Sequence, residues 1–97
     1  MRSRNFVVNT LRRFKNRFNQ EYGITDLGIF GSTARFENQE SSDIDIVVKM
    51  IKPDLFYLVH VKEELEEAFK VPVDIVQYRD SMNELLKRRI DAEAIYV

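Results

Sequence analysis

The sequence predicts an α/β (α+β) domain in which a small mixed β-sheet is flanked by helices. The chain has 97 residues, enough for one modest core and too few for two, so residues 1–97 are expected to form a single domain. Segments with the periodicity of a helix alternate with short apolar segments typical of strands. Their order, α-β-α-β-α-β-α, indicates a small sheet with helices packed on it.

The first two predicted elements are a long helix and a buried strand. Apolar residues in the opening segment are spaced three and four apart, as on one face of a helix: Val7, Leu11, Phe14, Phe18 and Tyr22. Gly23 stands where a helix commonly ends on a left-handed glycine. Residues 25–30 then form a short apolar stretch, which predicts a buried strand.

A break and a second strand follow. Gly31, Ser32 and Thr33 interrupt the apolar stretch, and residues 34–36 are expected to form a turn or two of helix. A polar loop over residues 37–42 leads to residues 43–48. Acidic and apolar residues alternate over the first four of these, and the segment is rich in β-branched side chains. This pattern predicts a strand.

The second half of the chain predicts a helix, a strand and a further helix. Pro53 is expected at the first position of a helix that ends near Phe69. Its buried stripe should contain Leu55, Leu58, Val61, Leu65 and Phe69.

Residues 71–77 form the third predicted strand, and Pro72 indicates an edge or entry position. Asp80 or Ser81 is expected to cap the last helix, while residues 92–97 fit either its continuation or a short strand. The apolar residues of that helix are Leu85, Leu86 and Ile90.

The composition narrows the possible chemistry. The chain contains no cysteine and one histidine, which excludes disulfides and thiolate metal sites and argues against zinc. Carboxylates remain as metal ligands, and they suit hard cations such as Mg²⁺. No apolar run approaches the length of a membrane span, and the opening residues lack the apolar core of a signal peptide. We therefore expect a cytoplasmic protein.

Charge is distributed unevenly along the chain. Residues 1–22 contain six basic side chains and one acidic side chain, whereas the remaining residues contain nine basic and fifteen acidic ones. A basic helix can attract nucleic acid or an acidic protein, and it can equally keep its outer face solvated. Because basic and aromatic residues are not interleaved as in proteins that stack single-stranded bases, nucleic acid is not an expected partner.

Three carboxylates fall on predicted strands and suggest a metal site. Strand alternation places Asp43 and Asp45 on the same face, and two carboxylates aimed at one point repel each other unless a cation lies between them. Asp74 is embedded in the next apolar strand. Convergence of all three would give an oxygen site for two Mg²⁺ ions, the arrangement that supports in-line displacement at phosphorus.

Gly31 and Ser32 supply a candidate phosphate site. A strand that ends in Gly-Ser and leads into a helix leaves unpaired backbone N–H groups, Gly31 allows the backbone to approach a phosphate, and the Ser32 hydroxyl can donate to it. The chain has neither a Walker A motif nor a G-x-G-x-x-G pattern, so a P-loop or Rossmann site is not expected. Together with the carboxylates, these residues predict a site for a nucleoside triphosphate.

The combined pattern resembles a known family. Gly31-Ser32, ten residues, and then Asp43-x-Asp45 resembles the signature of the DNA polymerase β-like nucleotidyltransferase superfamily. The length of the chain and two runs, from Gly31 to Arg35 and from Ser42 to Val48, resemble its minimal nucleotidyltransferase (MNT) branch. The resemblance covers essentially the whole chain. This resemblance implies the polymerase β-type fold and a pyrophosphate-releasing transfer of a nucleoside monophosphate, with ATP as donor.

The resemblance also implies a role for each site residue. Asp43 and Asp45 match the metal-binding pair, and Asp74 matches the third carboxylate, which shares a metal and helps to deprotonate or position the attacking hydroxyl. Gly31 and Ser32 match the phosphate grip. Arg35 matches an arginine frequent in this branch. It could contact phosphate or a partner, or it could form a salt bridge with Glu37 or Glu40.

The same branch suggests a partner, and three functional hypotheses follow. Many MNT proteins are paired with a HEPN-domain ribonuclease toxin, and in characterised pairs they neutralise it by attaching AMP to one of its tyrosines. The first hypothesis is therefore AMP transfer to a hydroxyl of a HEPN partner, within a homo- or hetero-oligomer. The second is a non-catalytic antitoxin that acts by binding. The third is a nucleotidyltransferase acting on a small molecule or RNA.

Overall fold

The computed structural model of the chain describes residues 3–35 and 43–97. The order of the elements in the chain is the predicted one, with a short fourth strand added at the end. The helices are α1 (Arg4–Tyr22), α2 (Gly31–Ala34), α3 (Leu55–Phe69) and α4 (Glu84–Glu93). The strands are β1 (Ile24–Ile29), β2 (Ile44–Met50), β3 (Val73–Gln77) and β4 (Ile95–Tyr96).

The four strands form one mixed sheet in the order β3-β2-β1-β4. Strand β1 pairs antiparallel with both β2 and β4, whereas β2 and β3 are parallel and are connected through α3. The prediction of a small mixed sheet with flanking helices is confirmed. β3 lies at an edge of the sheet, which agrees with the position predicted from Pro72.

Strand alternation gives the two faces of the sheet different roles. Ile44, Ile46 and Val48 of β2 are fully buried in the main core, which α1 and α3 also line. Asp45 and Val47 point to the opposite face. There Val47 forms a second, smaller cluster with Phe30 and with Ile90 of α4. The carboxylates predicted on strands therefore lie on the face that α4 covers only in part.

Helix α1 forms as predicted. Ser3 caps its start by accepting a hydrogen bond from the Phe6 N–H at 3.1 Å, and Gly23 ends it in the left-handed conformation at φ 68°. All five residues of the predicted stripe contribute to the main core. Within the described ranges, no helix is both long enough and apolar enough to cross a membrane.

Three local predictions were wrong. The short helix begins at Gly31 rather than at residue 34. Helix α3 begins at Leu55 because the Asp54 side chain caps it and accepts from the Tyr57 N–H at 3.2 Å, so Pro53 precedes the helix. Helix α4 is capped by Asn83, whose side chain accepts from the Leu86 N–H at 3.1 Å, and not by Asp80 or Ser81.

The predicted buried stripe of α3 holds for its last three turns and fails at its start. Val61 and Leu65 are fully buried and Phe69 nearly so, whereas Leu55 is 76% exposed. At about 100° per residue, Leu55 lies roughly 80° away from the centre of the line formed by these three residues, so it points to one side of the helix–sheet contact. Leu85 is also 76% exposed, on the outer side of α4.

Candidate functional site

The turn between β1 and α2 is bound tightly to β2 at Asp45. The Phe30 N–H donates to the Asp45 carbonyl at 3.2 Å, and the Asp45 N–H donates to the Thr33 hydroxyl oxygen at 2.9 Å. The Ser32 hydroxyl also donates to the Asp45 carboxylate, over a longer 3.4 Å. The predicted Gly-Ser turn and the predicted carboxylate strand are thus held together by both backbone and side-chain bonds.

Gly31 makes this close approach possible. It begins α2 at φ 59°, a left-handed conformation that residues with a Cβ adopt at a cost. A Cβ at this position would lie 2.8 Å from Oδ2 of Asp45, well inside normal contact distance. The backbone conformation therefore favours glycine, and a Cβ here would displace the Asp45 carboxylate.

The structure also places the carboxylates around Asp45. Asp74 is the register partner of Asp45 across the parallel β2–β3 pair, so the two side chains are neighbours on one face of the sheet. Asp43 precedes β2 and lies two residues from Asp45, which puts it on the same side by alternation. Asp43 and Asp74 are exposed, whereas Asp45 is half-buried.

The electrostatics of Asp45 link the predicted residues to one another. Burial raises the pKa of the Asp45 carboxyl above its ordinary value, and the negative charges of Asp74 and Asp43 raise it further. The Ser32 hydrogen bond and the positive charge of Arg35 act in the opposite direction on this pKa. Sequence reasoning therefore identified a group of residues that act on a single carboxyl group.

The donor set fits a hard divalent cation, although the side chains as placed do not enclose one. Carboxylate oxygens are the ligands that Mg²⁺ prefers, and a cation would relieve the repulsion that, after burial, raises the pKa of Asp45. Among residues 3–35 and 43–97, no three His, Cys, Asp or Glu side chains are close enough to hold a metal ion. The complete three-carboxylate metal site therefore stays a prediction.

Arg35 lies directly after α2, at the margin of this group. Its Nη1 forms an ion pair with Oε2 of Glu93 at 2.7 Å, and Glu93 is the last residue of α4. The alternative partners considered from sequence, Glu37 and Glu40, lie outside the described residues. The positive charge of Arg35 also acts on Asp45, where it lowers the pKa of the carboxyl group.

Sequence reasoning missed two residues that hold the site together. Thr33 is 3% exposed and connects α2 to β2, and its position as a polar residue beside the Gly-Ser turn was the only available signal. Glu93 gave no such signal, because it stands among other charged residues near the end of the chain. Its contact with Arg35 spans 58 positions of the chain and has no local sequence signature.

Replacing Thr33 by valine should destabilise the fold by roughly 1–3 kcal/mol, because the Asp45 N–H would lose its acceptor while remaining within the structure. Urea unfolding would measure the change in the free energy of unfolding. Thr25→Val is the matched control, since Thr25 is exposed and its hydroxyl contacts can be replaced by water. Equal, small effects in both variants would contradict the role of Thr33.

Sequence comparisons identify a family and an adenylyltransferase among its relatives. Residues 12–97 match the family described as "Polymerase beta, Nucleotidyltransferase". The chain is similar to the protein adenylyltransferase MntA of Thermococcus cleftensis, with 29% identity over 92 residues that cover 94% of this chain and 92% of MntA.

Solved structures with the same fold include two from toxin–antitoxin systems. A chain in a toxin–antitoxin structure with AMP-PNP superposes with a TM-score of 0.70 and 22% identity over 96% of this chain and 70% of the other. A chain in the complex of tri-AMPylated Shewanella oneidensis HEPN toxin with MNT antitoxin gives a TM-score of 0.69 and 19% identity, covering 96% of this chain and 70% of that one. At these identities the likeness concerns the fold alone.

Proposed function

The chain belongs to the polymerase β nucleotidyltransferase family, and from this premise we propose that it transfers AMP from ATP to a hydroxyl group of a partner protein. The observation that carries the proposal is the convergence on Asp45 of a glycine-serine turn and a second strand carboxylate, Asp74. A turn that can approach phosphate beside paired carboxylates suits transfer at phosphorus better than any other reaction.

The residues of the site divide between those that would bind the phosphates of ATP and those that would bind Mg²⁺. Gly31 and Ser32 would hold the phosphates that leave, through backbone N–H groups and the Ser32 hydroxyl. Asp43, Asp45 and Asp74 would hold Mg²⁺, with two ions in the complete site. When bound, Mg²⁺ would supply charge neutralisation on the phosphate oxygens. Arg35 would add a positive charge on the side of the triphosphate.

In the proposed reaction, the oxygen of the acceptor hydroxyl forms a bond to the α-phosphorus of ATP, and the bond between that phosphorus and the bridging oxygen to the β-phosphate breaks. Pyrophosphate leaves with the bonding electrons. Asp74, which is exposed, takes up or directs the proton of the attacking hydroxyl. Catalysis then rests on positioning and charge neutralisation without a covalent enzyme intermediate.

The acceptor is proposed to be a HEPN-domain toxin, with the chain acting as its antitoxin. One sequence relative and one structural neighbour support this assignment. MntA of Thermococcus cleftensis is a protein adenylyltransferase, and the Shewanella oneidensis complex contains an AMPylated HEPN toxin beside an MNT antitoxin. Asp43 and Asp74 are exposed, so the proposed site is accessible to a hydroxyl group presented by another protein.

The test is incubation of the chain with Mg²⁺ and α-³²P-ATP, alone and with the protein encoded beside it, which the proposal expects to be a HEPN-domain protein, followed by gel autoradiography. We expect label on the HEPN protein, and none when the label is on the γ-phosphate or when EDTA is present. Asp43→Asn should give no label, while the matched control Asp80→Asn, whose side chain is 99% exposed, should behave like the wild type.

Two results would contradict parts of the proposal in different ways. A stable complex of the two proteins without label from any nucleoside triphosphate would favour an antitoxin that acts by binding. Label on RNA or on a small molecule, with none on the HEPN protein, would keep the chemistry and overturn the acceptor.

A further inference from the structure

We propose that the open edge of β3 pairs with the same edge of a second copy of the chain, giving a two-fold dimer with one continuous sheet. The inference goes beyond the proposed function and does not depend on it. It is carried by Ile75 and Gln77, whose backbone groups point away from the sheet, and by apolar side chains of α3 that project past the same edge.

The backbone of β3 is bonded to β2 at every second residue. The Pro72 carbonyl accepts from the Ile44 N–H at 3.1 Å, and the Tyr78 N–H donates to the Val48 carbonyl at 2.8 Å. In a parallel pair, the N–H and C=O groups of alternate residues point to opposite sides of the strand. The backbone groups of residues 73, 75 and 77 therefore point outward from the sheet.

The first half of this edge is closed and the second half is open. Pro72 has no N–H, and the Val73 N–H donates to the Glu66 carboxylate at 2.8 Å. Within residues 3–35 and 43–97, the N–H groups of Ile75 and Gln77 have no hydrogen-bond partner. Unpaired backbone groups along an accessible edge are a template for a further strand.

Apolar side chains of α3 project past the same edge. At about 100° per residue, Leu55 and Val59 each lie within roughly 20° of Glu66 around the helix, and Glu66 reaches the edge of β3. Leu55 is 76% exposed and Val59 is 47% exposed. An open groove of about 580 Å³ lies beside them and is lined in part by Ile75 and Gln77. A strand and helix added here would remove these side chains from water.

The open positions are complementary to themselves. In an antiparallel pair, two opposite residues whose backbone groups point at each other exchange both of their N–H···O bonds. A two-fold axis at Val76 sets Ile75 of each copy opposite Gln77 of the other, so the open groups of both strands are all used. Of the antiparallel two-fold registers, only this one pairs the open residues with each other.

The charges beyond the open positions are complementary in the same register. Arg79 of each copy comes opposite Val73 of the other, where the Glu66 carboxylate lies on the edge. Arg79 is exposed and forms no ion pair with any residue that the structure describes. Opposite charges that meet across an interface favour one partner and one register over others. A second copy supplies the strand, the apolar side chains and the carboxylate together.

The first experiment measures the dimerisation of the full chain by analytical ultracentrifugation from about 10 μM to about 1 mM, the range in which we expect its dissociation constant. Leu55→Glu should weaken the dimer at least about 10-fold, because it places a charge among apolar side chains at the interface. Ile51→Glu is the matched control, since Ile51 is also 76% exposed and its N–H is bonded to Gly23, on the β1 side of the sheet. Because both residues are exposed, the melting temperature of dilute samples should match the wild type in both variants.

The second experiment uses hydrogen exchange, measured by NMR, to separate pairing at the edge from any other association. The amides of Ile75 and Gln77 should exchange at least about 10-fold more slowly in concentrated than in dilute samples. The amides of Asp74 and Val76 point towards β2 and should be protected at both concentrations. Leu55→Glu should remove the concentration dependence.

Three results would overturn the inference, and none of them bears on the transfer of AMP. The first is a chain that stays monomeric at about 1 mM, and the second is a dimer that Leu55→Glu does not weaken. The third is a dimer in which Ile75 and Gln77 remain unprotected. Protection of these two amides that appears only when the protein encoded beside the chain is added would assign the edge to that protein instead.

Discussion

Asp45→Asn is expected to abolish AMP transfer and, in the absence of metal, to raise the melting temperature of the protein. The loss of transfer should be at least about 100-fold, because Asp45 lies at the centre of the site and removing one electrostatic element of an active site commonly costs that much. The gain in stability follows from the environment of the carboxyl group. Autoradiography with α-³²P-ATP and thermal unfolding in EDTA measure the two effects.

The sign of the stability change follows from the pKa. Burial and the charges of Asp74 and Asp43 raise the pKa of Asp45 above the 3.8 of an unperturbed aspartate, so the folded state holds this proton more tightly than the unfolded state does. The corresponding stabilisation is present below the unfolded pKa and is lost as the pH rises through the folded pKa. At neutral pH the ionised carboxylate therefore costs stability, and asparagine removes that cost.

The pH dependence gives the control. The difference in melting temperature between Asp45→Asn and the wild type should shrink as the pH falls through the folded-state pKa of Asp45 and vanish below 3.8, because the wild-type carboxyl is then protonated in both states. Asp80→Asn, in an exposed position outside the site, should change neither transfer nor stability. Normal transfer by Asp45→Asn would refute the site assignment, and a lower melting temperature at neutral pH would refute the electrostatic interpretation.

That these residues lie close together was predictable from the sequence, because strand alternation and the Gly-Ser break are local features. Alternation along a strand fixes which face a side chain occupies, so Asp43 and Asp45 could be placed on one side, and Asp74 added from the next strand. A glycine between a strand and a helix signals a backbone that must bend sharply or approach another group closely. The contact of Gly31 with Asp45 agrees with both expectations.

Contacts distant in sequence were not predictable in the same way. The Arg35–Glu93 pair depends on where α4 ends and how it crosses the sheet, and neither follows from the spacing of its apolar residues. The predicted cap of α4 was wrong for a related reason. Asp80, Ser81 and Asn83 are all good caps, and the choice of Asn83 depends on the tertiary position of the first turn of α4. Local propensity supplies candidates, and packing selects among them.

Gly31→Ala is expected to reduce AMP transfer by at least about 100-fold, since a displacement of reacting groups by about 1 Å can cost that factor. Two costs combine at this position. The left-handed backbone at φ 59° is unfavourable for alanine by roughly 1–2 kcal/mol, and the new Cβ would meet the Asp45 carboxylate at 2.8 Å. Either Asp45 or the turn must move, and both belong to the proposed site. Transfer of labelled AMP and urea unfolding report the two costs separately.

Gly23→Ala is a matched control that carries only the first cost. Gly23 has φ 68°, close to that of Gly31, and a Cβ there would find no atom within 4 Å. It should lose about the same 1–2 kcal/mol of stability and keep wild-type transfer. The difference between the two variants therefore isolates the contact with Asp45 from the strain of the backbone. Equal activity in both would mean that the close approach of Gly31 to Asp45 serves the fold and not the transfer of AMP.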